Sequence, residues 1–153
     1  MDAGQLIHRL NWFYSLELSQ VDLYSAQSKQ ADGVYIPQVL ERVAAIEQQH
    51  VDNIAAKIEE LGGKPTVLGD VLAPITGKIA GTVTGSLGTI ALLKTDIFLE
   101  NEAMREYRDL ILKVGDPDLL HLLRSNLIDE DLHTAWFADT VRELVALEKT
   151  SEP

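Results

Sequence analysis

Two short phrases in this chain carry the same chemistry, IEQQH at 46–50 and DEDLH at 129–133. Each sets a glutamate three residues before a histidine, Glu47 with His50 and Glu130 with His133, and on a helix that spacing puts both side chains on one face. A carboxylate and a neutral imidazole side by side suit a divalent first-row metal. The pairing is not isolated. The interval of 83 residues that separates Glu47 from Glu130 and His50 from His133 also separates Glu17 from Glu100 and Tyr24 from Tyr107. One pattern is thus written twice: a glutamate, 29 intervening residues, a second glutamate, and a histidine three further on.

Four helical patterns must position these residues. The first runs from about Gln5 to Gln30, with Leu6, Leu10, Phe13, Val21 and Tyr24 on its apolar face. The second runs from about Pro37 to Leu61, with Leu40, Val43, Ile54, Ile58 and Leu61. The third ends near Val114 and carries Ile90, Leu93, Ile97, Met104, Tyr107 and Ile111, spaced alternately three and four once Glu100 is included. The fourth runs from about Pro117 to Glu148 through Leu123, Leu127, Phe137, Val141 and Leu144, with Ile128 read onto the same stripe. The breaks at ADGVYIP (31–37) and GDPD (115–118) are short, which predicts two helical hairpins. The second break also reads as a turn followed by an N-cap. The stretch from 62 to the high eighties is long enough to carry the chain between the bundle's ends. No alternating strand pattern occurs. The expected fold is all-α: an antiparallel four-helix bundle with a long crossover between helices 2 and 3, as one domain over 1–153.

Hairpin geometry brings the pattern together. Glu17 and Glu47 are equidistant from residue 32, and Glu100 and Glu130 from Gly115, so each pair sits roughly 22 Å from its turn and faces across it. All six polar residues interrupt apolar stripes. Burying four carboxylates without partners costs several kcal/mol each. No Lys or Arg lies on these stripes near that level, which leaves protonation or metal coordination. Four carboxylates and two imidazoles suit two metal ions, iron first and manganese as the alternative, because the donor set is rich in oxygen.

Composition narrows the partners. The net charge of −11 argues against nucleic acid and anionic membranes, and 46% apolar residues can bury a sizeable core. There is no cysteine, which excludes disulfides, thiolate metal sites, iron–sulfur clusters and a cysteine nucleophile, and suggests a cytoplasmic protein. MDAGQLIHRL lacks the basic and apolar runs of a signal peptide.

With those motifs in place, the chain resembles the ferritin-like superfamily of di-iron carboxylate proteins, and bacterioferritins most. LNWFYSLELSQVDLYSAQ, EQQHVDNIAAKIEELGGKP, DIFLENEAMREYRDLI and LIDEDLHTAWF resemble that family's four helices. The resemblance implies bridging roles for Glu47 and Glu130, and terminal ligation by Glu17, Glu100 (rather than Glu102), His50 and His133. It implies two iron ions and ferroxidase-like chemistry, the oxidation of Fe(II) by dioxygen or peroxide. The haem-ligating methionine of bacterioferritins would fall at Gln48, so no haem is expected. A fifth helix has no room, which argues against the family's hollow cage; the expected assembly is a homo-oligomer, a dimer by default or larger. Rubrerythrins are more distant: their extra glutamate falls at Ala103 and their Cys-rich module is missing. Two alternative readings are a non-catalytic iron-binding or storage protein and a membrane-associated, quinone-directed di-iron monooxygenase. The second comes from a looser resemblance to demethoxyubiquinone hydroxylase.

VLAPITGKIAGTVTGSLGTIALL (71–93) fits the pattern least. Gly77, Gly81, Gly85 and Gly88 recur near helical spacing, as in close-packed helices, but Lys78, Pro74 and the threonines disfavour a membrane span. Outside the repeat, His8 and His121 read as surface residues, and Trp12, Trp136 and Phe137 as core or interface aromatics. Tyr24 and Tyr107 read equally as donors to the bridging carboxylates or as plain core tyrosines. Asp129 either orients a histidine or is solvated. Glu102, Glu106 and Asp109 read as a solvated face.

Overall fold

The computed structural model describes residues 1–69, 71 and 88–151. Four helices form the bundle: α1 (Ala3–Gln27), α2 (Tyr35–Glu60), α3 (Thr89–Ile111) and α4 (Pro117–Ser151). No strand occurs among the described residues. The expected all-α bundle is the observed one, and the helix ends have local causes.

α1 starts two residues ahead of the periodic pattern because Asp2 and Gln5 form a capping box. Gln5 N–H donates to Asp2 Oδ1 at 2.8 Å and Asp2 N–H donates to Gln5 Oε1 at 3.1 Å. α2 begins at Tyr35, two residues before Pro37, since a proline in the first turn lacks only an N–H that has no partner within the helix. Its end is a Schellman motif: Gly63 N–H reaches Ile58 C=O and Gly62 N–H reaches Glu59 C=O, both at 2.9 Å, with Gly62 at φ 79°. Asp116 caps α4 by accepting from Leu119 N–H at 2.7 Å, as GDPD predicts.

α1 packs on α2, α3 on α4, and the two hairpins meet where α2 faces α4. α1 and α3 face each other through side chains, with Glu17 opposite Tyr107 and Tyr24 opposite Glu100. Rising numbers on one helix meet falling numbers on the other, so α1 and α3 are antiparallel. α2 and α3 therefore run the same way, and the connection between them must pass from one end of the bundle to the other. Its first residues are fastened to α1: Thr66 N–H donates to Asn11 Oδ1 at 2.6 Å and Leu68 N–H to Ser15 Oγ at 2.9 Å. Near its far end, Thr89 Oγ1 accepts from Asp32 N–H at 3.0 Å and donates to Asp32 Oδ2 at 2.8 Å.

The apolar core comes in two lobes. One holds Leu10, Phe13, Ile54, Ile58, Tyr107 and Leu123, and the other Tyr24, Leu40, Val43, Leu93 and Phe137. Phe13 stacks on Tyr107 with ring centroids 4.3 Å apart. Between the lobes lies the level of Glu17, Glu47, Glu100 and Glu130.

Three expectations need correction or fall outside view. Ile128 is 60% exposed, because the buried stripe of α4 runs Leu119, Leu123, Asn126, Glu130, His133, Phe137 and turns Ile128 outward. Glu102 and Glu106 are not part of a solvated face: both are half-buried, Glu106 against the Arg9 guanidinium, which also lies 3.7 Å from Asp109. Gly77, Gly81, Gly85, Pro74 and Lys78 lie outside the described residues. Among those described, no helix is long and apolar enough to cross a membrane.

A Cβ on Gly63 would come within 2.8 Å of Ile7 Cγ2 and 3.0 Å of Ile58 Cγ2, so Gly63 is required for the close approach of the Schellman turn to α1. Gly63→Ala is expected to destabilise the fold by about 1–3 kcal/mol, read as a lower urea midpoint at unchanged denaturant slope.

Candidate metal centre

Each helix contributes to the layer between the lobes. α1 brings Glu17, α2 Glu47 and His50, α3 Glu100, and α4 Glu130 and His133, all buried, with the four glutamates at 0% exposure. The three-and-four rhythm of each stripe passes through these positions, so the packing that buries the lobes buries them too.

The six side chains form two overlapping groups. Glu17, Glu47, His50 and Glu130 offer donor atoms all within 4.8 Å of one another, and so do Glu47, Glu100, Glu130 and His133. Glu47 and Glu130 belong to both. Each imidazole turns Nδ1 inward. His50 Nδ1 lies 2.9 Å from Glu47, 3.5 Å from Glu130 and 3.7 Å from Glu17. His133 Nδ1 lies 3.1 Å from Glu47, 3.5 Å from Glu130 and 3.7 Å from Glu100. These atoms are close but out of line for hydrogen bonding: both oxygens of Glu47, both of Glu130 and both Nδ1 atoms have no hydrogen-bond partner among the described residues. Donor atoms that converge without bonding one another fit around a cation better than they fit a hydrogen-bonded network.

The protonation equilibria reflect that crowding. Burial pushes the Glu17 carboxyl up to about 7 against the opposing contact with His50. Burial also raises Glu100 well above the usual carboxylate range, with the charge of Glu130 adding to it. Burial works to lower His133, but Glu100, Glu130 and Glu47 outweigh it and push the imidazole up to about 12. His50 is raised in the same way, burial being overcome by Glu130, Glu17 and Glu47.

Hydrogen bonds from outside the layer hold its outer members. Tyr107 O–H donates to Glu17 and Tyr24 O–H to Glu100. The tyrosines thus serve the two glutamates found in one group each, not the shared pair. Each tyrosine lies roughly 10 Å along the helix from its own glutamate, and the antiparallel packing of α1 on α3 sets it opposite the other one. Asn126 Nδ2 donates to Tyr107 Oη at 3.1 Å. Asp129 Oδ2 lies 3.1 Å from His50 Nε2, consistent with a role in orienting that ring. Gln48 sits on the exposed face of α2 and bonds Asp52 at 2.9 Å. His8 and His121 are exposed, Trp12 and Trp136 half-buried, and Phe137 buried.

A family model for the ferritin-like domain matches residues 7–147. The chain belongs to the ferritin-like family. Its fold is similar to that of the dodecameric thioferritin of Bacteroides fragilis, a bacterioferritin-related protein, at 20% identity and a TM-score of 0.83 over 100% of this chain and 94% of that one. The bacterioferritin of Desulfovibrio desulfuricans, solved with its diiron site in different catalytic states, is similar at 22% identity and a TM-score of 0.80 over 97% and 84%. A ferritin-like, diiron-carboxylate protein of Bacillus anthracis is similar at 23% identity and a TM-score of 0.71 over 92% and 99%. No curated protein sequence matches the chain.

Four buried polar residues near the ferritin-like layer were not singled out in the sequence: Gln20, Gln27, Asp96 and Asn126. The stripes could have found them, since 17, 20, 24, 27 on α1, 93, 96, 100 on α3 and 126, 130, 133 on α4 keep the same rhythm. Gln27 Nε2 donates to Asp96 Oδ1 at 2.8 Å, and the remaining pair, Gln27 Oε1 and Asp96 Oδ2, are both without a partner among the described residues. A proton on Asp96 would close the acid–amide pair. Consistently, burial pushes Asp96 up to about 8 from its ordinary 3.8, against the Gln27 bond and with the charge of Glu100 adding to it.

A carboxyl that holds its proton more tightly folded than unfolded favours the native state at low pH. That contribution is full below 3.8 and lost as pH rises through about 8. Asp96→Asn mimics the protonated acid and does not titrate. In metal-free protein its unfolding free energy relative to wild type should rise between pH 4 and 8, by on the order of a few kcal/mol. Parallel denaturation curves for the two proteins would contradict this.

Proposed function

We propose that this ferritin-like chain binds two iron ions in the layer between its core lobes and oxidises Fe(II) with dioxygen or peroxide. The supporting observation is the convergence of four buried carboxylates and two inward Nδ1 atoms; both oxygens of Glu47 and Glu130 and both Nδ1 atoms have no hydrogen-bond partner among the described residues. Glu47 and Glu130, common to both groups, would serve both ions, with Glu17 and His50 holding one and Glu100 and His133 the other. Manganese shares the preference for oxygen-rich donors and is the alternative metal. We take 1–153 as one bundle domain, and its lack of cysteine supports a cytoplasmic location.

When bound, the two ferrous ions supply one electron each, to dioxygen with two protons to leave hydrogen peroxide, or to hydrogen peroxide with two protons to leave two waters. The chain's part is preorganisation. Tyr107 and Tyr24 keep Glu17 and Glu100 aimed at the layer, Asp129 keeps the His50 ring turned inward, and four carboxylates favour the higher charge of the oxidised ions. The lobes on either side limit access by water. We also infer a homo-oligomer, since Ile128 and Leu132 present neighbouring apolar side chains to solvent.

Protein loaded anaerobically with Fe(II) and desalted should retain about two irons per chain by elemental analysis. Glu47→Ala and Glu130→Ala should lose both ions, because each residue serves both groups, whereas Glu17→Ala or Glu100→Ala should lose mainly one. Adding dioxygen to loaded wild type should then produce ferric absorption faster than buffer does. Retention of metal without faster oxidation would favour the non-catalytic iron-binding reading. Loading should also raise the melting temperature, with a gain near 2.7 kcal/mol at about 100-fold excess over Kd.

A further inference from the structure

The 83-residue repeat breaks beside the two imidazoles. His50 presents Nδ1 to the layer and has Asp129 Oδ2 at 3.1 Å from its Nε2. His133 presents Nδ1 in the same way, but its buried Nε2 has no hydrogen-bond partner among the described residues. The reason is legible in the chain: the position 83 residues before Asp129 is Ile46. The second hairpin supplies a carboxylate to the first hairpin's histidine, and the first returns a hydrocarbon side chain that makes no such bond.

A carboxylate on the outer N–H of an imidazole fixes the tautomer with its lone pair inward, restrains the ring and raises its basicity. Removing such a partner typically costs 10–100-fold in metal affinity. Taking the two-metal reading above as its basis, we propose that the halves of the site are functionally unequal. The Glu17–His50 half holds its ion tightly and fills first, and the Glu100–His133 half holds the weaker, exchangeable ion. Asp129 is the positioning residue that makes the difference.

Anaerobic titration of the metal-free protein with Co(II), followed by its visible absorption and by calorimetry, tests this without turnover. Repulsion between two ions separates the binding steps even in a symmetric site, so the deciding result is which half fills first. His133→Gln should leave one Co(II) at near wild-type first-step affinity, whereas His50→Gln should weaken the first step. Asp129→Asn should weaken the first step by about 10–100-fold and leave the second nearly unchanged. Ile46→Asp should tighten the second step, and circular dichroism would check that this half-buried substitution still folds. Equal effects of His50→Gln and His133→Gln, or an Asp129→Asn variant that loses affinity equally in both steps, would overturn the asymmetry while leaving the two-metal reading intact. No Co(II) binding by wild type would overturn the two-metal reading itself.

Discussion

Four carboxylates and two imidazoles share one buried layer, and no lysine or arginine pairs with them among the described residues. Moving that much potential charge out of water is expensive, and the rest of the bundle is arranged around the expense. Burial pushes Glu17 and Glu100 up, and the surrounding glutamates raise both imidazoles against the opposing effect of burial. On the proposed reading, metal ions would take the place of protons on these groups, and the low-dielectric surroundings that penalise unpaired charge would strengthen their coordination.

The apolar lobes on either side supply the driving force, and the layer supplies register. Hydrophobic packing is non-directional and tolerates small shifts of one helix along another. Hydrogen bonds from Tyr24 to Glu100 and from Tyr107 to Glu17 do not, and the two bonds demand the same antiparallel alignment of α1 and α3. The Asp32–Thr89 contact and the bonds that Asn11 and Ser15 accept from Thr66 N–H and Leu68 N–H tie down both ends of the crossover, outside the layer. Tight structure at the ends and directional bonds at the centre leave little freedom for the six side chains.

The repeat explains why the layer has near two-fold symmetry, and its departures show where the halves differ. The glutamates, histidines and tyrosines are matched, while Asp129 stands against Ile46 and the buried pair Gln27–Asp96 has no counterpart at Leu110 and Phe13. Symmetry comes from the duplicated hairpin pattern. The differences lie among the groups that touch the layer's members from outside, where a single substitution changes the surroundings of one half without disturbing the packing of the other.

Much of this was legible in the chain. Helical periodicity, the Asp116 cap and the equal spacing of glutamates from each turn specify two hairpins and the level at which their carboxylates meet, because these depend on local geometry and the rise of a helix. The apolar rhythm does not mark the start of α1, because a capping box precedes it, and at Ile128 a stripe three and four residues wide does not tell its edge from its centre. What the sequence alone determined is the set of residues that must share a buried layer. Which oxygen each tyrosine meets, that Asp129 reaches across to His50, and that Gln27 and Asp96 pair were decided only by the tertiary structure, since these contacts join residues about 70–90 positions apart and depend on how one hairpin is set against the other.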